Sequence, residues 1–292
     1  MQQLVNITLT GISSGAIYAA FALALVLIWR STRIVNFAQA PMAMVTVYVA
    51  LVIIDAGYSY WIGFFAALAC GFLLGAVTER VVIRPVEGKP DINAVIVTLG
   101  LFIVIHAIAA IVFGTRYRSF PAPFGLRGFQ IGDFNIALTG FGVFTIVSVL
   151  IVMVLMAALF RFTDVGLKMR AAAFSPEVAR LLGVKVNRML TLGWALAALA
   201  GTLSGILIAG GSLVYPAFMD SVVVFGFVAA VIGGLESPLG AVVGGLLLGL
   251  GLSFVSGYVG SELVPLASLV ILLVVLLARP GGLFSRTATR KV

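Results

Sequence analysis

Side chains capable of covalent chemistry are scarce in this sequence. His106 is the only histidine and Cys70 the only cysteine among 292 residues. Both lie in apolar runs, so the sequence predicts neither a disulfide framework nor a metal site. No segment matches Gly-x-x-x-x-Gly-Lys-Ser/Thr, the loop that cradles nucleotide phosphates. We therefore expect no enzyme activity and no cofactor, and any energy from ATP must come from another protein.

His106 stands near the middle of an apolar run. An intramembrane histidine can relay protons or contact a substrate. The alternative is a neutral imidazole that hydrogen-bonds within a helix bundle. We favour this alternative, because no Asp or Glu lies well inside an apolar run to pair with the ring.

Uncharged polar residues interrupt the apolar runs at a few positions. Asn36, Gln39 and Pro41 break one run, and Thr98 lies near the start of another. Uncharged polar groups suit a zwitterion or an amide that passes through an apolar bore. Asn36, Gln39 and Thr98 are therefore our candidates for a substrate pathway. Each could equally satisfy nearby backbone groups.

The most informative polar stretch is the loop 161–189. Within it Ser175 is predicted to be an N-cap and Pro176 the first residue of a helix. Glu177 complements the positive end of that helix, and Gly183 ends it. A helix of about two turns is marginal in water, so its stability must come from docking.

This predicted helix has an apolar face formed by Val178, Leu181 and Leu182. Glu177 and Arg180 remain for polar contacts. Such a helix can dock onto another protein, or it can lie on the membrane surface as a linker. The spacing alone leaves both interpretations open.

The elements that must position these residues are membrane-spanning helices. The chain is 62% hydrophobic and 10% charged, whereas soluble domains carry about 25% charged residues. A helix needs about 20 apolar residues to cross a bilayer. Candidate segments are 9–29, 35–54, 59–78, 93–114, 137–160, 190–210, 222–235, 240–257 and 263–278. The seventh and eighth are short, so we predict an all-α, polytopic transmembrane helix bundle with eight or nine spans, formed by the single domain 1–292.

Lys and Arg residues indicate the orientation of the bundle. If the N-terminus faces outside, only Arg116, Arg118 and Arg127 of the 18 Lys and Arg lie outside. The positive-inside rule favours this orientation, which makes the loop 161–189 cytoplasmic. The same rule explains the net charge of +8 without a nucleic-acid partner. The outer loop 115–134 is either a receptor-facing surface or, as we favour, a plain solvated connector.

Two interrupted segments suggest that the chain consists of two related halves. Residues 34–42 and 213–220 each follow a helix rich in small residues. An odd number of predicted spans separates the two halves, so they would run in opposite directions. Inverted repeats with broken helices are a recurrent transporter design. We therefore predict an inverted repeat.

Glycines recur at the spacing that lets helices approach closely in lipid. They indicate a tightly packed bundle. The pairs are Gly11 and Gly15, Gly71 and Gly75, Gly201 and Gly205, Gly240 and Gly244, and Gly245 and Gly249.

Several blocks resemble a known family. The stretch 177–183, with Glu-Val-Ala followed after three residues by Gly, resembles the Glu-Ala-Ala-x-x-x-Gly coupling motif of ABC importer permeases. Blocks along nearly the whole chain are similar to the branched-chain (hydrophobic) amino acid permeases. They are Arg-Ile-Val-Asn-Phe-Ala at 33–38, Thr-Leu-Gly-Leu at 98–101, the segment 170–184, the segment 233–245 and Arg-Pro-Gly-Gly-Leu-Phe at 279–284. Gln39-Ala40 departs from the His-Gly of many relatives and leaves the substrate class open.

The resemblance implies a multi-pass permease subunit in the cytoplasmic (inner) membrane of a prokaryote. Expected partners are ATP-binding subunits, a second related permease and an extracytoplasmic substrate-binding protein, together with membrane lipid. The expected cargo is a branched-chain or related hydrophobic amino acid. The residues implied to couple to the ATPase are Arg170, Ser175, Pro176, Glu177, Ala179, Arg180, Leu182 and Gly183.

Other functions are compatible with the same sequence. An ABC permease for urea, amides or aromatic acids would share the same blocks. A secondary transporter or channel that works without ATP would need charged intramembrane sites for its coupling ion. A non-transporting membrane scaffold would have no evident use for the short capped helix.

Overall fold

The chain forms a bundle of helices in a computed structural model, which describes residues 2–87, 89–131, 134–279 and 281–284. The helices are α1 (Gln2–Thr32), α2 (Gln39–Asp55), α3 (Tyr60–Thr78), α4 (Asp91–Phe113), α5 (Gly140–Phe162), α6 (Asp164–Phe174), α7 (Pro176–Leu181), α8 (Val186–Ala209), α9 (Asp220–Gly233), α10 (Pro238–Tyr258) and α11 (Val264–Ala278). A π-helical turn, Glu79–Ile83, and a 3-10 turn, Arg84–Val86, extend α3. Another 3-10 turn, Ser261–Leu263, precedes α11.

Seven of the described helices are long and apolar enough to cross a membrane, namely α1, α3 with its extension, α4, α5, α8, α10 and α11 with its preceding turn. The remaining apolar helices, α2 and α9, have 17 and 14 residues. Each predicted apolar segment therefore contains a helix, and the all-α membrane bundle is confirmed. The expectation of a short eighth segment is wrong, because α10 has 21 residues.

Short strands occupy the connections between helices. β1 (Arg118–Ser119) pairs antiparallel with β4 (Leu213–Val214), and β2 (Gly128–Ile131) pairs with β3 (Phe134–Thr139). The outer loop thus has more structure than the plain connector that we favoured. Residues 137–139, predicted to begin the fifth span, belong to β3. Helix α5 starts later because the Thr139 side chain accepts a hydrogen bond from the Gly142 amide at 2.9 Å.

Several helix ends that carry basic residues contact one another on one face of the bundle. Arg33 pairs with Glu236 at 2.5 Å, and Arg84 donates to Thr191 at 2.8 Å. We call this face of the bundle, with Arg33, Arg84 and the start of α8, the basic side. At the other face, the Ala137 amide donates to Asn6 at 2.9 Å. The described basic segments thus gather as predicted, while the predicted basic tail from residue 285 lies outside the described residues.

Helix contacts have a similar pattern in the two predicted halves. Helix α1 packs along α10 and also contacts α9, while α8 packs along α3 and also contacts α2. Helices α1 and α8 contact each other between these two groups. Each half therefore places its first helix against the second and third apolar helices of the other half, and α1 and α8 run in opposite directions.

The predicted glycine pairs lie where helices approach most closely. A Cβ atom on Gly249 would overlap the Gly15 backbone, which joins α10 to α1. A Cβ atom on Gly75 would come within 2.5 Å of the Trp194 carbonyl oxygen, which joins α3 to α8. Since backbone lies on the far side of these contacts, no side chain can move away to make room. These glycines therefore hold the two halves of the bundle together.

Candidate functional site

The α6–α7 segment, residues 164–185, connects α5 to α8 on the basic side. Thr163 caps α6, since its hydroxyl accepts a hydrogen bond from the Gly166 amide at 3.1 Å. Helix α6, which carries Arg170, was not predicted separately from the loop. The segment thus contains two short helices where the sequence indicated one.

Helix α7 forms where the sequence predicts it. Pro176 is its first residue, and Gly183 ends it with φ +81, a backbone conformation that suits glycine. Ser175 occupies the N-cap position, but its side chain makes no capping hydrogen bond. The expected side-chain cap is therefore wrong, and the helix start has Pro176 at its first position and the acidic Glu177 in its first turn.

Helix α7 attaches to the bundle through a small apolar contact. Ala179 is buried against Ala172 of α6 and against Val186 and Leu190 of α8. The predicted apolar face points away from this contact. Leu181 is 88% exposed and Leu182 78% exposed. The face is therefore free to dock onto another molecule.

Phe174 enlarges this exposed apolar surface, with 94% of its area accessible. It is the last residue of α6, immediately before Ser175. Sequence analysis missed it because it lies outside the recognised motif spacing. Glu177 and Arg180 are exposed on the same short helix. Phe174, Val178, Leu181 and Leu182 together form what we call the α7 apolar surface.

The three predicted pathway residues come together at the first break, residues 33–38. Asn36 donates to the Gln39 side chain at 3.1 Å, and its own oxygen accepts from the Ala38 amide at 3.0 Å. Gln39 donates to the Ala197 carbonyl oxygen of α8 at 3.0 Å. Thr98 of α4 donates to the Val95 carbonyl oxygen at 3.0 Å, and the Val35 carbonyl oxygen lies 3.4 Å away.

All three side chains are buried, with 1% or less of their area exposed. Their hydrogen bonds shape the break before α2 and attach it to α4 and α8. In this conformation they satisfy protein groups, as the alternative interpretation of these residues expected. The break begins at Arg33, whose φ of +58 is unusual for a residue other than glycine.

The second break, residues 210–219, lies on the opposite side of the bundle, before α9. Strand β4 pairs it with the outer loop through Leu213 and Val214. Asp220 opens α9, and its Oδ1 atom lies 3.1 Å from Nε2 of His106. The other ring nitrogen of His106 lies 3.0 Å from the Phe102 carbonyl oxygen.

This arrangement corrects one expectation. His106 does hydrogen-bond within the bundle, as we favoured, but it also has an acidic partner. Sequence analysis placed Asp220 at the edge of a span and missed the pair, because the break before α9 decides where that aspartate lies. The pair joins α4 to the start of α9.

A buried ion pair joins the end of α3 to the start of α8. Arg84 donates to Glu79 at 2.8 Å and to Thr191 at 2.8 Å, and Thr191 donates to Glu79 at 2.6 Å. The Glu79 side chain is only 2% exposed. A buried carboxylate without such partners would be costly to desolvate. This network fixes the base of α8, directly after the α6–α7 segment.

Comparisons with known proteins agree with the family resemblance. The model of the family described as "Branched-chain amino acid transport system / permease component" matches residues 7–279. The high-affinity branched-chain amino acid transport system permease protein LivH of Escherichia coli is 29% identical over 311 residues, which cover 100% of this chain and 97% of that protein.

Two further relatives show the same pattern. The corresponding permease protein BraD of Pseudomonas aeruginosa is 28% identical, with 100% of this chain and 98% of that protein covered. A probable branched-chain amino acid transport permease protein LivH of Methanocaldococcus jannaschii is 26% identical, with 90% and 86% covered. With a family match along nearly its whole length and a bundle of membrane-spanning helices, this chain belongs to the permease component family of the branched-chain amino acid transport systems.

Proposed function

We propose that this chain is a permease subunit of an ABC importer in the cytoplasmic membrane of a prokaryote. Its cargo is a branched-chain or related hydrophobic amino acid, and separate ATP-binding subunits drive the transport. The family membership and the names of the relatives support this function. A second related permease and an extracytoplasmic substrate-binding protein complete the proposed assembly.

The observation that carries this proposal is the exposed α7 apolar surface. Large exposed apolar patches on otherwise folded proteins mark docking sites. This surface lies on the basic side, which the positive-inside rule makes cytoplasmic. An ATP-binding subunit works in the cytoplasm and would cover it. The proposed coupling residues are Arg170, Ser175, Pro176, Glu177, Ala179, Arg180, Leu182 and Gly183.

The contacts of α7 suggest how a movement would reach the bundle. Ala179 packs against the first turns of α8. Further along, the Ala197 carbonyl oxygen of α8 holds Gln39 at the first break. A displacement of α7 would therefore move α8 and strain the hydrogen bonds at the break. We propose that the path opens there and that Asn36, Gln39 and Thr98 then face the substrate.

The test removes the α7 apolar surface without unfolding the chain. Leu181→Ser combined with Leu182→Ser should weaken association with the ATP-binding subunits more than a hundredfold, at about 1.5 kcal/mol per leucine. Co-purification with those subunits and leucine uptake in proteoliposomes would measure the loss. The control is Val165→Ser combined with Leu167→Ser, at exposed positions of α6.

The control variant should keep both association and uptake. Glu177→Ala and Gly183→Val should abolish uptake while the protein still inserts into the membrane. Wild-type transport by both of these variants would refute the coupling role of α7. Uptake of urea, simple amides and aromatic amino acids, measured in the same proteoliposomes, would identify the substrate class.

The His106–Asp220 pair favours a second candidate, ion-coupled transport without ATP. Paired ionisable groups within a bundle mark proton or ion pathways in secondary transporters. The purified chain alone, in liposomes with an imposed pH gradient, distinguishes the two candidates. Under the ABC importer proposal it moves no amino acid, whereas gradient-driven uptake that is lost in His106→Ala would establish the second candidate.

A further inference from the structure

A cavity of about 760 Å³ opens on the basic side, between the end of α3 and the start of α8. Cationic side chains converge on it from both elements and from α7. They are Arg80, Arg84, Arg180, Lys185 and Arg188. No carboxylate is among the described residues that line it. We call this space the basic cavity.

Most of these cations lack an acidic partner. Arg84 is neutralised by Glu79, which it contacts at 2.8 Å. Glu79 is buried and also accepts the Thr191 hydroxyl, so it is shielded from the cavity. Within the part of the chain that the structure describes, the four other cations form no salt bridge. Like charges around one concave space repel each other, and an anion in it would offset that repulsion.

The backbone adds to the positive potential of the basic cavity. Helix α8 begins there at Val186, and no side chain caps its N-terminus. The positive end of the dipole of this 24-residue helix therefore opens on the same space. Asn187 and Thr191 supply uncharged polar groups beside it. Arginine and lysine side chains at a helix start are the groups that bind phosphate in proteins.

An exposed apolar face of α3 and its extension ends in the turn that also carries Arg80. Leu73, Val77 and Val81 follow one another at intervals of four residues along α3 and its extension. They are 62%, 54% and 65% exposed. Val81 lies in the same π-helical turn as Arg80, which lines the basic cavity. This sequence of groups matches a phospholipid, with its acyl chain along α3 and its phosphate in the cavity.

We propose that the basic cavity binds the phosphate headgroup of an anionic phospholipid from the cytoplasmic leaflet. The bound lipid would bridge the end of α3 to α7 and α8 through Arg80, Arg180 and Arg188. Because Arg180 lies on α7, the lipid would also hold the α6–α7 segment close to the membrane surface. The site requires that this chain spans the membrane with its basic side in the cytoplasm, and it does not depend on the proposed cargo.

The experiment uses the full chain in nanodiscs that contain equal amounts of phosphatidylglycerol and phosphatidylcholine. Native mass spectrometry would count the lipids retained after release. The wild-type chain should retain phosphatidylglycerol preferentially. Lys185→Gln combined with Arg188→Gln should reduce this preference about thirtyfold, since two basic residues near a membrane surface contribute on the order of 2 kcal/mol together.

The matched control is Lys89→Gln combined with Lys168→Gln. It removes the same charge on the same side, at exposed positions away from the basic cavity, and should keep the preference. Lys185→Arg combined with Arg188→Lys keeps both charges and should also retain phosphatidylglycerol. All of the altered side chains are exposed, so the variants should fold.

Several outcomes would overturn the proposal. Equal retention of both lipids by the wild-type chain would do so, as would equal losses in the cavity variant and its control. Inorganic phosphate that binds lipid-free protein and displaces phosphatidylglycerol, with the same dependence on Lys185 and Arg188, would make the site one for a free anion. If Lys185→Gln combined with Arg188→Gln left lipid retention unchanged but abolished co-purification with the ATP-binding subunits, the cavity would be a contact site for those subunits.

Discussion

Gln39 and Gly201 illustrate how one missing side chain makes room for another. The Gln39 amide occupies the space where a Cβ atom on Gly201 would lie. From there it donates to the Ala197 carbonyl oxygen. The glycine is therefore needed for Gln39 to join the first break to α8.

We predict that Gly201→Ala reproduces the effect of Gln39→Ala. The added methyl group displaces the Gln39 amide, so either change removes the hydrogen bond to Ala197. A buried hydrogen bond contributes about 1 kcal/mol. Uptake kinetics should show a similar reduction for the two single variants, and the double variant should be little worse than either one.

The control is Gly100→Ala on α4, where an added Cβ atom meets no other atom within 4 Å. It should transport at the wild-type rate. Additive effects of Gly201→Ala and Gln39→Ala would show that the two residues act separately. If Ala at Asn36, Gln39 and Thr98 together leaves uptake unchanged, the pathway assignment is wrong.

Individual residues could be singled out from the sequence, but their partners could not. Asn36 and Gln39 stand out because they interrupt an apolar run. The acceptor of the Gln39 amide lies 158 residues further along the chain, and periodicity within one segment carries no information about such a contact. Asp220 was missed as the partner of His106 for the same reason.

The close contact of α1 with α10 depends on glycines whose neighbours are backbone atoms. A Cβ atom on Gly249 would overlap the Gly15 backbone. Gly251, on the same helix, has only the flexible end of Ile271 nearby, at 3.6 Å. Gly249 and Gly251 therefore form a matched pair on α10, one in a tight contact and one with free space beside it.

We predict that Gly249→Ala destabilises the bundle by about 1 to 3 kcal/mol, because α1 and α10 must separate to accommodate the methyl group. Gly251→Ala should cost nothing, or stabilise α10 slightly through its better helix propensity. Thermal unfolding of the purified chain in detergent would compare the two. Equal unfolding temperatures would show that the α1–α10 contact adapts easily.

Helices were more predictable than the connections between them. Runs of about 20 apolar residues located the spans, and Ser175, Pro176 and Gly183 located α7. The strands were missed because β1 and β4 have two residues each and form only by pairing with each other. The start of α10 was also missed. The Ser237 hydroxyl accepts a hydrogen bond from the Gly240 amide at 2.9 Å, so the helix begins at Pro238, before the apolar run that located the span.

The described residues gather their basic helix ends on one side, and the predicted orientation rests on that charge asymmetry. The described ends near Arg33, Arg84 and Arg188 lie together, whereas Arg116 lies in the loop at the opposite face. The positive-inside rule turns this asymmetry into a prediction about which face meets the cytoplasm.

We predict that Lys168→Cys and Lys185→Cys, in a Cys70→Ala background, react with a membrane-impermeant maleimide only after the cells are permeabilised. Arg116→Cys should react in intact spheroplasts. All three positions are exposed, so reactivity reports the side of the membrane. Labelling of Lys168→Cys in intact spheroplasts would invert the orientation and remove the proposed ATPase contact.

Helices α1 and α8 run in opposite directions, so the breaks that follow them lie toward opposite faces of the bundle. Residues 33–38 lie toward the basic side and contact α8, whereas β4 pairs residues 213–214 with β1 of the loop at the opposite face. Under the proposed function, partners on the cytoplasmic side would act on the path through the first break, and partners on the outer side would act through the second. Without the β1–β4 pairing, the second break would no longer be fastened to the loop 115–134, and a contact made at that loop would no longer be transmitted to the start of α9.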